Sequence, residues 1–286
     1  MKLTTLLENT AVDPALTCQH GLSQYLEVNG RRILFDAGPS AASSENAEKL
    51  GVDLEAVDTC VLSHGHHDHA DGLPAFLERN TTAPVYLKPE AQGEQMGMKK
   101  DGPLFIGVDP VLFQRYGHRL RFVSEETDLG DGIVLLTHIT RNPDYAQPQD
   151  DLLVKTAEGY VPDGFLHELI LTVREEDGIH ILTGCSHSGI VGMIETVQAR
   201  FPGVPILSVT GGFHLMVVPR QDRMNCTPEF ARALGEKLRD LGDFPAYTCH
   251  CTGQAAFDLM KEPLGDRLTY LRGGMTVEIG ASSSKT

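Results

Sequence analysis

Residues Ser63-His64-Gly65-His66-His67-Asp68-His69 follow directly on Val57-Asp58-Thr59-Cys60-Val61-Leu62. The earlier stretch is a short apolar run suited to a buried strand. It leads straight into four ligand-type side chains, His64, His66, Asp68 and His69, all within six positions. In a loop of this kind His64 and His66 can converge on one metal ion, while Asp68 and His69 turn toward a second a few ångströms away. Neutral imidazole and carboxylate suit zinc, iron or manganese, and three protein ligands per ion leave positions for water and substrate. Gly65 permits tight backbone geometry, and Gly72 and Pro74 punctuate the start of the next helix. His67 is the exception and is expected to face outward or toward substrate. The competing reading is a histidine-rich surface loop that binds nothing, although an acid at this fixed place after a strand is unusual for one.

Upstream, Asn29-Gly30 separates two strand-like runs, Leu22–Val28 and Arg31–Phe35, the strongest short-range signal for a two-residue hairpin. Phe35-Asp36-Ala37-Gly38-Pro39 ends the second run, and a helix from Ser43 to Leu50 is stopped by Gly51. The later half has the same plan. Leu169–Arg174 and Ile179–Thr183 flank an acidic turn ending in Asp177-Gly178. Gly184-Cys185-Ser186-His187 closes that strand, a helix is expected from about Ile190 to Arg200, and Val204–Val209 forms the next buried strand before Gly211-Gly212-Phe213-His214. Asp36 and His64 lie 28 positions apart, and Cys185 and His214 lie 29 apart. Hairpin, helix, buried strand and polar loop therefore occur twice, which predicts an internally duplicated α/β sandwich with its strand ends on one edge.

Thr227-Pro228-Glu229 has the cap and first-turn proline of a helix start, and that helix should run to about Leu241. A last strand enters Cys249-His250-Cys251-Thr252-Gly253, followed by another helix and a strand region at Arg267–Ile279. Residues 141–167 are rich in Pro, Asp and Gly and read as an irregular insertion with the character of a substrate lid. No flexible linker interrupts the pattern. A single domain over 1–280 and a disordered tail at 281–286 are expected.

Composition narrows the function classes. Among 286 residues, 24 Lys+Arg stand against 39 Asp+Glu, a formal net charge of −15. Such a chain is a poor partner for nucleic acid or an anionic membrane, and a phosphate-bearing ligand would need a local positive device such as a metal ion. No run approaches the ~18 apolar residues of a membrane-spanning helix. Met1 to Asn9 lacks an export-signal pattern, so a cytoplasmic location is expected. The six cysteines are scattered, with one close pair around His250, unlike a disulfide framework. Free or metal-associated thiols fit better. In a strand, Cys249 and Cys251 would point away from His250, which argues against thiolate ligation there. His118, His138 and His180 read as structural or exposed.

The run at 63–69 resembles the hallmark motif of the metallo-β-lactamase superfamily. Glu8-Asn9, His20-Gly21-Leu22-Ser23, Phe35-Asp36-Ala37-Gly38, Gly184-Cys185-Ser186-His187-Ser188-Gly189, Gly211-Gly212-Phe213-His214-Leu215 and His250-Cys251-Thr252-Gly253 resemble one branch of it. That branch contains the dihydropteroate-synthase-related metal-dependent hydrolases. It also includes an archaeal enzyme that condenses a dihydropterin diphosphate with ribofuranosyl-aminobenzene phosphate. The resemblance implies an αββα sandwich, in agreement with the duplicated pattern. It implies that His64 and His66 hold a first ion, and that Asp68, His69 and His250 hold a second. Asp36 would support the metal loop by orienting a ligand histidine; a helix-capping or turn aspartate is the alternative. The third ligand of the first ion is expected to be His187, with His167 as the rival from its position before the hairpin. Cys185 stands where most two-metal members carry a bridging aspartate. It is either a soft thiolate donor or a small buried residue behind the ligands.

The chemistry implied is metal-assisted hydrolysis, with a metal-bound hydroxide attacking a small-molecule ester, amide, lactone or phosphoester. Asp68 would orient the water. His214 would shuttle protons or contact substrate, as would His20 more weakly; a structural histidine is the alternative for each. One or two divalent ions are implied, zinc first, with iron or manganese as alternatives. The expected partner is a small-molecule substrate and neither nucleic acid nor membrane; self-association into a homo-oligomer stays open. Two other functions remain: a pterin-diphosphate transferase like the archaeal enzyme, and a catalytically silent metal sensor, for which Cys185 is the argument.

Overall fold

Asn29 and Gly30 both take positive φ, 51° and 77°, and the turn closes Val28 onto Arg31. This is the conformation that two-residue hairpins require, and Asn-Gly reaches it at little cost. The computed structural model containing this hairpin describes residues 1–280, and the tail expected at 281–286 lies outside the described residues. The hairpin strands are Ser23–Val28 and Arg31–Ala37. Arg31–Ala37 pairs in parallel with Thr59–Val61, Leu34 lying opposite Cys60 and Phe35 opposite Val61. Because side chains alternate across a strand, Leu34 and Cys60 enter one core while Ile33, Phe35 and Val61 enter another.

Seven strands form the first sheet, in the order Thr276–Glu278, Lys2–Leu7, Ser23–Val28, Arg31–Ala37, Thr59–Val61, Val85–Leu87, Leu120–Phe122. The second runs Thr127–Gly130, Ile133–Leu136, Ile170–Glu175, Gly178–Leu182, Ile206–Gly211, Ala246–Thr248, Leu268–Tyr270. In each, three antiparallel pairings give way to three parallel ones. The duplication expected from the spacing is thus a duplication of topology.

The sheets face each other across a core containing Leu3, Phe35, Val61, Ile133, Leu171 and Leu182. Helices Ala42–Lys49, Leu73–Arg79 and Pro110–Tyr116 cover the outer face of the first sheet. Helices Ile190–Arg200, Pro228–Leu241 and Gln254–Leu264 cover the second. Thr227 caps the middle one through its hydroxyl, which accepts from Phe230 N at 3.2 Å. The result is an αββα sandwich. Among the described residues no helix is long and apolar enough to cross a membrane.

Residues 141–167 are not irregular throughout. They hold the hairpin Leu152–Thr156 and Gly159–Pro162, which joins Glu94–Lys99 and Gly102–Phe105 in a four-stranded sheet. Leu152-Leu153-Val154 and Tyr160-Val161 supply the β-forming side chains, but Gly97 and a turn without Asn-Gly hid the pairing. A second correction concerns Cys251. The chain leaves its strand at Thr248 and turns through a short 3₁₀ segment, His250–Thr252, with His250 at φ 52°. Strand alternation therefore ends before Cys251, and its thiol does not share a face with Cys249, which lies in the core between the sheets.

Candidate metal centre

The parallel strands of both sheets release their C-terminal ends on one edge, where open α/β sheets present ligand sites. Asp36 is the last strand residue but one before such an end, and Ser63-His64, Cys185, Phe213-His214 and His250 follow others. Among the described residues, five of the seven non-glycine residues with positive φ cluster there or beside it: Asp36, Phe165, Ser186, His214 and His250. Left-handed backbone costs a non-glycine residue about 1–3 kcal/mol and persists where surroundings over-determine it, commonly at functional sites.

His64, His66 and His187 form a triangle of rings with centroids 4.7, 5.0 and 4.8 Å apart. Their three Nε2 atoms are buried and have no hydrogen-bond partner among the described residues. Burial and the surrounding imidazoles hold all three well below the usual histidine pKa, so each ring is neutral, the form that offers a lone pair. Orphaned buried nitrogens are costly, and three of them on neighbouring rings fit a cation.

The tautomers follow from the neighbours. Ser63 Oγ donates to Asp36 Oδ2 at 2.7 Å and so accepts from His64 Nδ1 at 2.9 Å. His187 Nδ1 donates to Gln149 Oε1, whose amide in turn donates to His187 O at 2.8 Å. The Nδ1 protons of His64 and His187 are held, which leaves the lone pair of each ring on Nε2. His167 is engaged differently: Nδ1 accepts from Gly65 N at 3.0 Å and Nε2 donates to Asp163 Oδ2 at 3.1 Å. Both its nitrogens are used, whereas His187 keeps one lone pair.

Beside the triangle, His250 Nε2, Cys185 Sγ and Asp68 Oδ2 approach His69 Nε2 at 3.2, 3.2 and 3.7 Å. His69 Nδ1 donates to Asp36 Oδ2 at 2.7 Å, and His250 Nδ1 to Asn9 Oδ1 at 3.0 Å. Burial opposes a charge on His69, but Asp36 and Asp68 outweigh it and raise its pKa to about 9. Burial likewise opposes the Asp68 carboxylate, yet His69, His250 and His20 hold it well below the usual range. The pocket thus keeps a positive charge where four donor atoms converge, and a divalent cation can replace that proton. Donor set and orphaned nitrogens both fit the metal ions expected from the sequence.

Cys185 Sγ lies within 4.8 Å of ligand atoms of His64 and His187 on one side and of His69 and His250 on the other. It sits between the two sets rather than behind them. A Cβ on Gly184 would overlap Ser63 Oγ and come within 2.8 Å of His64 Nδ1, so only glycine lets that strand end approach the loop. His20 and His214 edge the group. His20 Nε2 is 3.4 Å from Asp68 Oδ2, its ring lies tilted 4.6 Å from that of His250, and burial and His250 lower its pKa to about 4. His214 lies 4.3 Å from His187 by ring centroid. His67 faces outward, 3.8 Å from Asp71.

Two buried carboxylates escaped the sequence reading. Glu8 accepts from His250 N at 2.7 Å, Tyr270 OH at 3.1 Å and Thr10 N at 2.6 Å. Glu168 accepts from His187 N and Ser188 N, each at 2.8 Å. With Asp36, which takes Ser63 N at 2.7 Å, three carboxylates each fix one histidine-bearing segment. Glu8-Asn9 stood out as a motif without a role; Glu168 and Gln149 gave no signal.

Comparison with known proteins places the chain in a family. The sequence profile of the metallo-beta-lactamase superfamily matches residues 17–200. A 7,8-dihydropterin-6-methyl-4-(beta-D-ribofuranosyl)-aminobenzene-5'-phosphate synthase of Methanocaldococcus jannaschii is 28% identical over 97% of this chain and 96% of its own length. An uncharacterized protein of the same organism is 29% identical over 90% of this chain and 93% of its own. A crystal structure described as a metal-dependent hydrolase of the beta-lactamase superfamily superposes with a TM-score of 0.79, at 28% identity over 97% of this chain and 98% of that one. With the profile covering well over half its length and the sandwich and histidine edge in place, the chain belongs to the metallo-β-lactamase superfamily.

Proposed function

We propose that the chain is a metal-dependent hydrolase of a small-molecule ester, amide, lactone or phosphoester. The observation that carries this is the close packing of the His64, His66 and His187 rings, each with an Nε2 that has no partner among the described residues, beside the set formed by Asp68, His69 and His250. These six side chains would hold two divalent cations, zinc by preference, with Cys185 between them. When bound, the cations polarise the scissile group and acidify water.

The chain's own residues do the rest. Asp68 Oδ2, with His20 Nε2 3.4 Å away, orients the attacking water. His214 and His20, partly exposed beside buried neighbours, contact the substrate, and His214 is placed to pass a proton to the leaving group. Asp36, Glu8 and Glu168 keep the ligand rings in one orientation, so that little reorganisation accompanies the reaction.

A second reading is a transferase in which a dihydropterin diphosphate loses diphosphate as its methylene carbon bonds to an arylamine nitrogen, with release of one proton. It is supported by the similarity to the archaeal synthase over 97% of the chain. The two separate in one experiment. Metal-loaded protein is offered aryl esters, aryl phosphodiesters and lactones, and separately a dihydropterin diphosphate with and without an arylamine. Turnover of the first group supports the hydrolase. Diphosphate release only with the amine supports the transferase, and no turnover of either argues for a silent binding protein.

A further inference from the structure

Cys251 comes to lie where the strand pattern did not put it. Cys185 Sγ, Cys251 Sγ and a ring nitrogen of His214 are mutually within 4.8 Å. Cys185 is 3% exposed and Cys251 1%. His214 Nδ1 is buried with no partner among the described residues, a second sign that a group is wanted there. The surrounding backbone is shaped to bring the three together. His214 N donates to Cys251 Sγ at 3.3 Å, and the Cys251 thiol donates to Cys185 O at 3.6 Å. A Cβ on Gly212 would overlap Cys251 Sγ, so this closeness depends on glycine.

Two buried sulfurs and one half-buried imidazole form a soft donor set. Thiolates favour zinc-class ions and reject manganese and magnesium, which prefer oxygen. Each thiol gives up its proton on binding. We propose that Cys185, Cys251 and His214, the last through its unpartnered Nδ1, form a soft-cation seat, contiguous with the histidine sets through Cys185, that takes a zinc-class ion and leaves His214 Nε2 to the substrate. The proposal rests on reading the neighbouring histidines as a metal centre, and it adds Cys251, a residue outside that centre, as a ligand. Cys185 then has a reason to replace a carboxylate: a sulfur serves the histidines on one side and a second sulfur's ion on the other.

Cobalt(II) is the probe, because thiolate ligands give it an intense near-ultraviolet charge-transfer band and imidazole and carboxylate do not. The full chain, stripped and reloaded with cobalt, should show a band of two-thiolate intensity. Cys251→Ser should lower it about two-fold, Cys185→Ser/Cys251→Ser should abolish it, and Cys249→Ser, in the core between the sheets, should leave it unchanged. Zinc-edge X-ray absorption on the unmodified chain needs no variant and should find sulfur at about 2.3 Å. The proposal is overturned if Cys251→Ser leaves the band intact or if cobalt binds with no band at all. Thiol titration finding Cys185 and Cys251 already joined as a disulfide in freshly purified protein overturns it too. Absence of any bound cobalt overturns the histidine centre as well, which distinguishes the two failures.

Discussion

Replacing Asp36 with Asn tests how the sheet controls both halves of the centre. The carboxylate is fully buried and accepts three bonds of 2.7 Å, from Ser63 N, Ser63 Oγ and His69 Nδ1. Its φ of 58° is one that Asn tolerates, so the backbone is not the variable. The amide can satisfy Ser63 N with its oxygen, but its NH₂ then faces Ser63 Oγ and the proton on His69 Nδ1. Ser63 Oγ must reverse and donate to His64 Nδ1, which moves the His64 proton to Nε2; His69 must shift its proton the same way. One substitution therefore blocks a lone pair in each donor set.

In energy, two charge-assisted bonds become neutral ones and a donor–donor conflict is introduced, about 3–5 kcal/mol in all. That is a large share of the roughly 5–15 kcal/mol by which domains are stable. Loss of such a supporting group typically lowers metal affinity 10–100-fold. Urea unfolding of the metal-stripped protein would read the first quantity, and competition with a chromophoric chelator the second. We expect a folded but destabilised protein whose affinity drops at both sites. Native affinity at both sites with unchanged stability would refute the relay from Asp36 through Ser63 and His69.

Other predictions follow from the same contacts. His187→Gln should cost the protein one of the two ions of the histidine centre, whereas His167→Gln should keep both and lose about 1–3 kcal/mol of stability, since its nitrogens are already occupied; the reverse metal counts would exchange their roles. Glu8→Gln leaves at least one of its buried donors facing an NH₂ group and should lower the melting temperature by about 5–10 °C, corresponding to about 2–4 kcal/mol. Calorimetry showing no shift would contradict that role. Burial lowers the pKa of His180 in the folded protein against a smaller opposing pull from Glu175. Its contribution is thus complete above the unfolded value of about 6.5 and declines as pH falls below it, because the unfolded chain then binds the proton more readily. His180→Asn should make the fall in stability below that pH less steep, the remainder coming from His20, His64, His66 and His187, and an unchanged slope would exclude His180 as a source.

The sequence was legible where a feature is local. Asn29-Gly30 fixes its turn because two consecutive positive φ angles admit few residues, and Ile190–Arg200 and Pro228–Leu241 carry their boundaries in a preceding glycine and a Thr-Pro cap. The run at 63–69 announced itself because four donors lie in one loop. The positions of Glu8 and Glu168 were not legible, because each acts on a backbone N–H far along the chain, 242 and 19 residues away. Nothing in their neighbours in sequence marks such a contact. Cys251 was misplaced for a related reason: the period of two was extended past Thr248, where the strand gives way to a 3₁₀ turn. Strands Leu152–Thr156 and Gly159–Pro162 were hidden by a polar turn, and their partner Glu94–Lys99 lies some sixty positions earlier.

The central claim is that His64, His66 and His187, with Asp68, His69 and His250, hold two ions. Metal analysis of protein purified without a polyhistidine tag, beside a His66→Ala/Asp68→Ala variant, tests it most directly. At least two zinc, iron or manganese ions per chain, of which the two held by the histidine centre are lost in the variant, is the expected result; a native protein that takes up no metal even after reconstitution would contradict it.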